Sequence, residues 1–487
     1  MIQKIILPLL VLLISATVSC QSHKMGNANK PNVVLIFIDD LGVGDIGSFG
    51  ATEYRTPNLD RMASEGMRFT NFNVPQAVCS ASRAALLTGC YPNRIGMKGA
   101  LSPRAMLGLN PDEETIAELL KEQGYGTAIV GKWHLGHHKK FMPLQHGFDE
   151  YLGIPYSNDM TPFFYNESRK TVMPEQFKHK MSYPELPLVK GNNKIRELTT
   201  VSDQKGLTTL YTETAVDYIN SRKEIPFFLY LAHSMPHVPL AVSEKFAGKS
   251  EQGLYGDVVM EIDWSVGQIL EALDKNGLTE NTLVIFTSDN GPWLNFGEHA
   301  GSTGGLREGK GTSFEGGNRV PAIMKWPRTI PEGRINNKLS TTMDILPTIV
   351  AITGANLPVE RIDGINILPL LQGEERANPR RSMYYYYNEN DLEAVRRDNW
   401  KLVFPHGHRS YEGVLPGKNG LPGAYNQKET TLSLFNLRRD PGERYNVKEL
   451  YPEILLELQE LAERAREDLG DDLNNRKGKN RRKHGEL

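Results

Sequence analysis

Two stretches far apart in the chain share one pattern, and it limits what the chain can fold into. Residues 31–38 run Pro-Asn-Val-Val-Leu-Ile-Phe-Ile and break into Asp39-Asp40; residues 282–288 run Thr-Leu-Val-Ile-Phe-Thr-Ser and break into Asp289-Asn290. Unbroken apolar runs of strand length belong to strands covered on both faces, as in a parallel sheet under helices. Ligand sites in such open sheets lie at the carboxyl ends of the strands. Two further runs repeat the device. Residues 127–130 lead into Gly131-Lys132-Trp133-His134, and residues 226–232 lead into His233 and, after Pro236, His237. If these strands are parallel, four polar sets share one edge.

The intervening segments supply the cover. Helices are expected over 58–67, 111–123, 210–222 and 255–276, the last with Val258, Ile262, Val266, Ile269, Leu270 and Leu273 facing inward. Residues 155–205 are polar and aperiodic and read as a long surface excursion. A glycine-rich loop spans 297–317, followed by a strand at 321–326. Beyond a charged boundary near 375–381 lie four short strands, at 382–387, 393–395, 400–404 and 434–437. A helix opens at Pro452, carries Leu455, Leu458, Ala462, Ala465 and Leu469 on one stripe, and closes at Gly470. The expected fold class is α/β: a large mixed, mostly parallel sheet flanked by helices, plus a smaller C-terminal α+β subdomain with a four-stranded antiparallel sheet and a helix.

The first residues stand outside that fold. Lys4 precedes an apolar run to Val18, then Ser19-Cys20, which is a secretory signal too short to span a membrane comfortably. Thr17-Val18-Ser19-Cys20 resembles a bacterial lipoprotein cleavage box. The expected layout is a signal peptide over 1–19, a polar tether over 20–30, a catalytic domain over 31–378, a C-terminal subdomain over 379–473 and a frayed basic tail over 474–487. The protein is expected to be exported, as a periplasmic or outer-membrane lipoprotein of a bacterium, touching membrane only through a lipid anchor at Cys20. Lys+Arg number 56 against Asp+Glu 58, so no basic excess points to nucleic acid. Three cysteines do not make a disulfide scaffold, although a Cys79–Cys90 pair is a structural alternative for Cys79.

The chemistry-bearing residues form a consistent set. Asp39, Asp40, Asp289 and Asn290 offer only oxygen donors, which suits a hard cation such as Ca2+ or Mg2+ rather than zinc. Cys79-Ser80-Ala81-Ser82-Arg83 opens into Ala-Ala-Leu-Leu, placing a reactive group and an arginine at a helix start, where negative charge is stabilised. Arg83, Lys132 and Lys310 add the cations an oxyanion needs. His134 and His237 are candidates for proton transfer.

With these residues in view, the chain resembles the type I sulfatases of the alkaline phosphatase superfamily from Pro31 to about Asp471. Cys79-x-Ala81-x-Arg83 matches that family's maturation motif, and the run from Gly124 to His134 matches its second signature. Asp39-Asp40, Asp289-Asn290 and Gly309-Lys310-Gly311 follow in the expected order. The resemblance implies that a formylglycine-generating maturase oxidises Cys79 to formylglycine (3-oxoalanine), whose hydrate attacks sulfur and releases an alcohol. It implies one Ca2+ ion on Asp39, Asp40, Asp289, Asn290 and the residue at 79. It gives Arg83 and Lys132 the formylglycine and sulfate, His134 the regeneration step, and His237 with Lys310 the sulfate and leaving oxygen. His233 is a weaker match. Position 81 is Ala where many members have Pro, which bears only on which maturase acts. The implied reaction is sulfuric ester hydrolysis on a sulfated carbohydrate or aryl sulfate. Substrate selectivity is expected from the 155–205 excursion, the 292–308 loop with Trp293 and His299, the run Tyr384 to Tyr387 and the His406/His408 region. A phosphatase or phosphonate hydrolase of the same superfamily, and a glycan-binding lipoprotein with a degenerate site, are the alternatives.

Overall fold

The structure is a computed structural model that describes residues 30–162 and 175–487. The expected signal peptide, the anchor at Cys20 and nearly all of the tether lie outside the described residues. Strands Thr282–Ser288, Asn32–Ile38, Phe227–Ala232, Gly126–Gly131 and Glu150–Gly153 are adjacent and mutually parallel. The four polar strand ends therefore do fall along one edge. Ile38 pairs with Ser288, so Asp39 and Asp289 leave neighbouring strands at the same level.

Alternation within the first strand explains its unbroken apolar run. Val33, Leu35 and Phe37 face one core, with Trp133, Phe148, Leu86 and Ile349; Val34, Ile36 and Ile38 face another, with Ile262, Val266, Tyr211 and Leu207. Each side chain is removed from water, so neither face selects polar residues. Helix Leu254–Lys275 covers the second face, as its stripe of apolar residues requires.

The sheet is larger than the apolar runs suggest. Met67–Asn73 is a strand, antiparallel to Arg319–Lys325, which is itself antiparallel to Thr282–Ser288. The expected helix over 58–67 ends instead at Ser64, because Met67, Phe69 and Phe72 bury as strand residues. Helix Ile345–Thr353 was not anticipated. Nor is 155–205 wholly irregular: Leu186–Lys190 and Asn193–Leu198 form a hairpin that extends the sheet past Glu150–Gly153.

The C-terminal sheet runs Ser382–Tyr387, Asp391–Arg397, Trp400–Val403, Ser433–Asn436, all antiparallel, with helix Pro452–Leu469 packed across it. That helix ends at Gly470, whose φ of 85° favours glycine. The basic tail does not fray. Arg476–Lys477 pairs with Gly470–Asp471, and Gly485–Glu486 pairs with Leu107–Gly108 on the large domain. Arg482 makes two bonds to Glu113, at 2.6 and 2.7 Å. Acidic partners hundreds of residues away hold the tail, which its own composition cannot reveal.

Candidate active site

Cys79 opens helix Cys79–Thr88, every residue of which is buried. Its Sγ lies 3.5 Å from Asp39 Oδ1 and 3.4 Å from Lys310 Nζ. One helical turn on, Arg83 donates to Asp289 Oδ2 at 2.9 Å and to the Lys132 carbonyl at 3.1 Å. Lys132 reaches Asp39 and donates to Ser157 Oγ at 3.1 Å. Lys310 straddles both oxygens of Asp40, at 2.7 and 2.9 Å. Asn290 Nδ2 donates to Asp40 Oδ1 at 2.6 Å, and the Asp40 amide donates to Asp289 Oδ1 at 3.1 Å. Asp40 sits at a φ of 64°, a turn that brings its carboxylate back over the strand end. All ten residues singled out from the sequence are thus buried together at one sheet edge.

The histidines divide. His237 Nδ1 is 2.6 Å from the Val238 carbonyl, which can only accept, so the ring proton sits on Nδ1 and Nε2 is left 3.6 Å from Asp40. His134 Nε2 likewise donates to the Leu101 carbonyl at 2.9 Å, leaving Nδ1 buried without a partner. Burial lowers the pKa of both rings, so both are neutral bases at neutral pH. His233 is not part of the site. Its Nε2 pairs with Ser265 Oγ at 3.0 Å, on the helix that covers the sheet.

The carboxylates are unequal. Burial opposes ionisation of Asp39, but Lys132, with Arg83 and Lys310, outweighs it and holds the group well below the usual range. Burial pushes Asp289 up to about 7, aided by the charge on Asp39 and opposed by Arg83. Burial also pushes the Cys79 thiol up, beside Asp39. A buried thiol held protonated is a poor nucleophile, since the thiolate is the attacking species. Cys79 and Cys90 are both free thiols, so the alternative of a structural disulfide is not realised.

A metal fits this donor set. Donor atoms of Asp39, Asp40, Cys79 and His237 all lie within 4.8 Å of one another. Asn290 Oδ1, at the same strand end, is buried and has no hydrogen-bond partner among the described residues. Carboxylates plus an amide oxygen are hard donors. Beside them a cavity of about 140 Å³ is bounded by Cys79, His134, His237, Lys310 and Trp293 on the large domain, and by Tyr387 and Arg409 from the C-terminal subdomain.

Residues 31–355 match the family model "Sulfatase", and residues 378–484 match "C-terminal region of aryl-sulfatase". The chain belongs to the sulfatase family. This sulfatase is 40% identical over 452 residues to arylsulfatase A of Bos taurus, covering 89% of this chain and 87% of that protein. It is 39% identical over 441 residues to the N-acetylgalactosamine-6-sulfatase of Homo sapiens, covering 86% and 82%. Among solved structures it resembles the PsFucS1 sulfatase from Pseudoalteromonas sp., with a TM-score of 0.80 at 29% identity and 90% of each chain covered.

The 155–205 stretch expected to set selectivity reaches the cavity, through residues not named from the sequence. Ser157 and Asp159 border the site, and Asp159 pairs with buried Lys180. All three come from the polar stretch that looked like a surface excursion. Of the tyrosine run, Tyr384 stacks on Tyr91, Tyr385 donates to Glu315 at 3.1 Å and Tyr386 bonds to the Ala465 and Gly470 carbonyls; Tyr387 alone of the four borders the cavity. His406 and His408 pack against Phe314, and Arg409 beside them borders the cavity instead.

Proposed function

We propose that this sulfatase removes sulfate from a sulfated carbohydrate, using formylglycine made from Cys79 and a Ca2+ ion held by Asp39, Asp40, Asp289 and Asn290, with residue 79 beside them. The observation that carries the reading is the position of Cys79: a buried, protonated thiol, unfit to attack as encoded, at a helix start between two acidic strand ends and Lys310. The carbohydrate is drawn from the relatives, one named for N-acetylgalactosamine-6-sulfate chemistry. Formylglycine would supply a hydrated aldehyde as nucleophile, and Ca2+ would neutralise charge on the sulfate oxygens.

The chain's own groups then have distinct tasks. Arg83 and Lys132 hold Asp289 and Asp39 in place behind the cavity wall and add positive charge there. Lys310 projects its ammonium toward both residue 79 and Asp40, where a sulfate oxygen needs a charge-assisted donor. His237 aims Nε2 at the reacting group, its orientation fixed by the Val238 carbonyl; because the neutral ring carries its only proton on Nδ1, Nε2 must first take up a proton before it can pass one to the leaving oxygen. His134 presents Nδ1 as a base, fixed in the same way by Leu101. Preorganised buried donors of this kind lower the barrier because they need not reorient as charge develops.

Export, with a lipid anchor at Cys20, remains part of this proposal and would place the enzyme where external glycans arrive. The test is release of inorganic sulfate from sulfated saccharides and 4-nitrophenyl sulfate, read by ion chromatography. Wild type matured in its own host should release sulfate, and Cys79→Ala should release at least about 10³-fold less. Undiminished release by Cys79→Ala, or release of phosphate but not sulfate from matched monoesters, overturns the reading.

A further inference from the structure

The cavity carries a second positive group that the sulfate chemistry does not use. Arg409 lies on the strand His406–Ser410 of the C-terminal subdomain and borders the cavity opposite Cys79. Gly311, next to Lys310, makes room for it. A Cβ at that position would stand 3.1 Å from the guanidinium carbon of Arg409 and 2.9 Å from Tyr387 Oη, and the backbone there has a φ of 81°.

Arg409 is half-buried, and no carboxylate among the described residues stands in ion-pair contact with it. The groups acting on its charge are the hydroxyls of Tyr387, Tyr411 and Tyr425, and its guanidinium lies 5.4 Å from the centre of the Tyr425 ring. The nearby acids are committed elsewhere. Glu308 accepts from Ser410 Oγ at 2.5 Å and the Tyr411 amide at 2.9 Å, and Glu412 pairs with Lys428 at 3.0 Å. On the far side of the cavity Asp159 is held by Lys180, while Asp39 and Asp40 are held by Lys132 and Lys310. Arg409 is thus a cation at the cavity wall with phenols around it and no carboxylate in ion-pair contact among the described residues.

We infer that Arg409, beside Tyr387, forms a subsite for a second anionic group on the substrate, a carboxylate or a further sulfate beyond the one cleaved. The inference rests on the sulfatase reading above and names the substrate class within it: a saccharide with at least two negative charges. A planar guanidinium suits either oxyanion, because two parallel N–H groups can meet two oxygens. The Tyr387 hydroxyl beside it can donate without adding a competing charge at neutral pH, while Tyr411 Oη is spent on the Lys310 carbonyl at 2.9 Å.

The experiment compares kcat/KM across matched saccharides. One set is a monosulfated hexosamine joined to a uronic acid against its uronate methyl ester, which keeps the shape and removes the charge. The other is a disulfated hexosamine against the monosulfated form. Wild type should favour the more anionic member of at least one pair by about tenfold or more, and which pair shows it separates carboxylate from sulfate. Arg409→Gln should collapse that ratio toward one, and Arg409→Lys should retain part of it. An equal ratio in wild type and Arg409→Gln overturns the subsite, as does a wild-type preference for the less anionic members. If Arg409→Gln does not fold, the wild-type ratio and its partial loss in Arg409→Lys decide the matter in the same terms. Sulfate release from 4-nitrophenyl sulfate by wild type separates the two claims. Its absence, with no turnover of any saccharide, brings down the sulfatase reading and the subsite together; its presence without a charge preference brings down the subsite alone.

Discussion

Two clusters of buried charge sit a few residues apart in this molecule, and they do different things. At the sheet edge, Asp39, Asp40 and Asp289 face Arg83, Lys132 and Lys310 beside a cavity, with Asn290 Oδ1 and His134 Nδ1 left without partners. Below the glycine-rich loop, Glu315 and Glu443 face Lys401, Arg319 and Arg396. There Lys401 Nζ meets three acceptors: Glu443 at 2.8 Å, Glu315 at 3.2 Å and the Ser313 carbonyl at 2.7 Å. Two of these contacts are hydrogen bonds and the third, to Glu443, is an ion pair, so this ammonium serves its own carboxylates. Charge density alone therefore does not mark a site. Nor do orphaned atoms, since Glu443 Oε1 and Arg396 Nη1 of the second cluster also lack hydrogen-bond partners among the described residues and Arg396 borders a cavity of its own; the first cluster differs in gathering donor atoms of Asp39, Asp40, Cys79 and His237 within 4.8 Å of one another.

Substitution of one lysine in each cluster separates the two roles. Lys310→Met should lower kcat/KM by about 10²–10³-fold, the effect of removing one preorganised donor, with the thermal midpoint little changed because one bordering side is already cavity. Lys401→Met should do the reverse. It strands Glu315 and Glu443 in the interior, so stability should fall by about 3–5 kcal/mol, read as a lower thermal midpoint, with turnover per folded molecule far less affected. Equal loss of turnover in both variants would break the distinction.

A smaller effect sharpens it on the pH axis. Glu315 is held below the usual range because Arg319, Lys401 and Arg396 outweigh its burial. Its contribution is present above the unfolded value of about 4.3 and is lost as pH falls through the lower folded value. Glu393, on the same small sheet, lacks such a set of cations, and burial pushes it up to about 8. Its contribution is fully present below about pH 4.3 and is lost as pH rises through 8. The thermal midpoint of wild type, taken relative to Glu393→Gln, should therefore decline between pH 5 and 9. A flat difference would contradict the sign.

Much of this was legible in the sequence where the physics is local. A run such as Val33 to Ile38 can only be a doubly covered strand, so the central parallel sheet and its polar edge followed directly. Met67–Asn73 loses its alternation at Thr70-Asn71, and only Met67 was taken up, as the end of the expected helix; its pairing with Arg319–Lys325 is what makes it a strand. Asp159, Lys180 and Arg409 lie in or beside stretches expected to set selectivity, but could not be singled out there because their individual meaning comes from the cavity. His233 failed for the opposite reason. It shares a strand end with the site, but its side chain turns to Ser265.

The central claim is that the encoded residue at position 79 is not the working one. Mass spectrometry of the tryptic peptide ending at Arg83, from active protein made in its own host, tests it most directly. The account predicts an aldehyde or its hydrate at position 79 in place of the thiol. An unmodified, alkylatable cysteine there in a preparation that releases sulfate would contradict it.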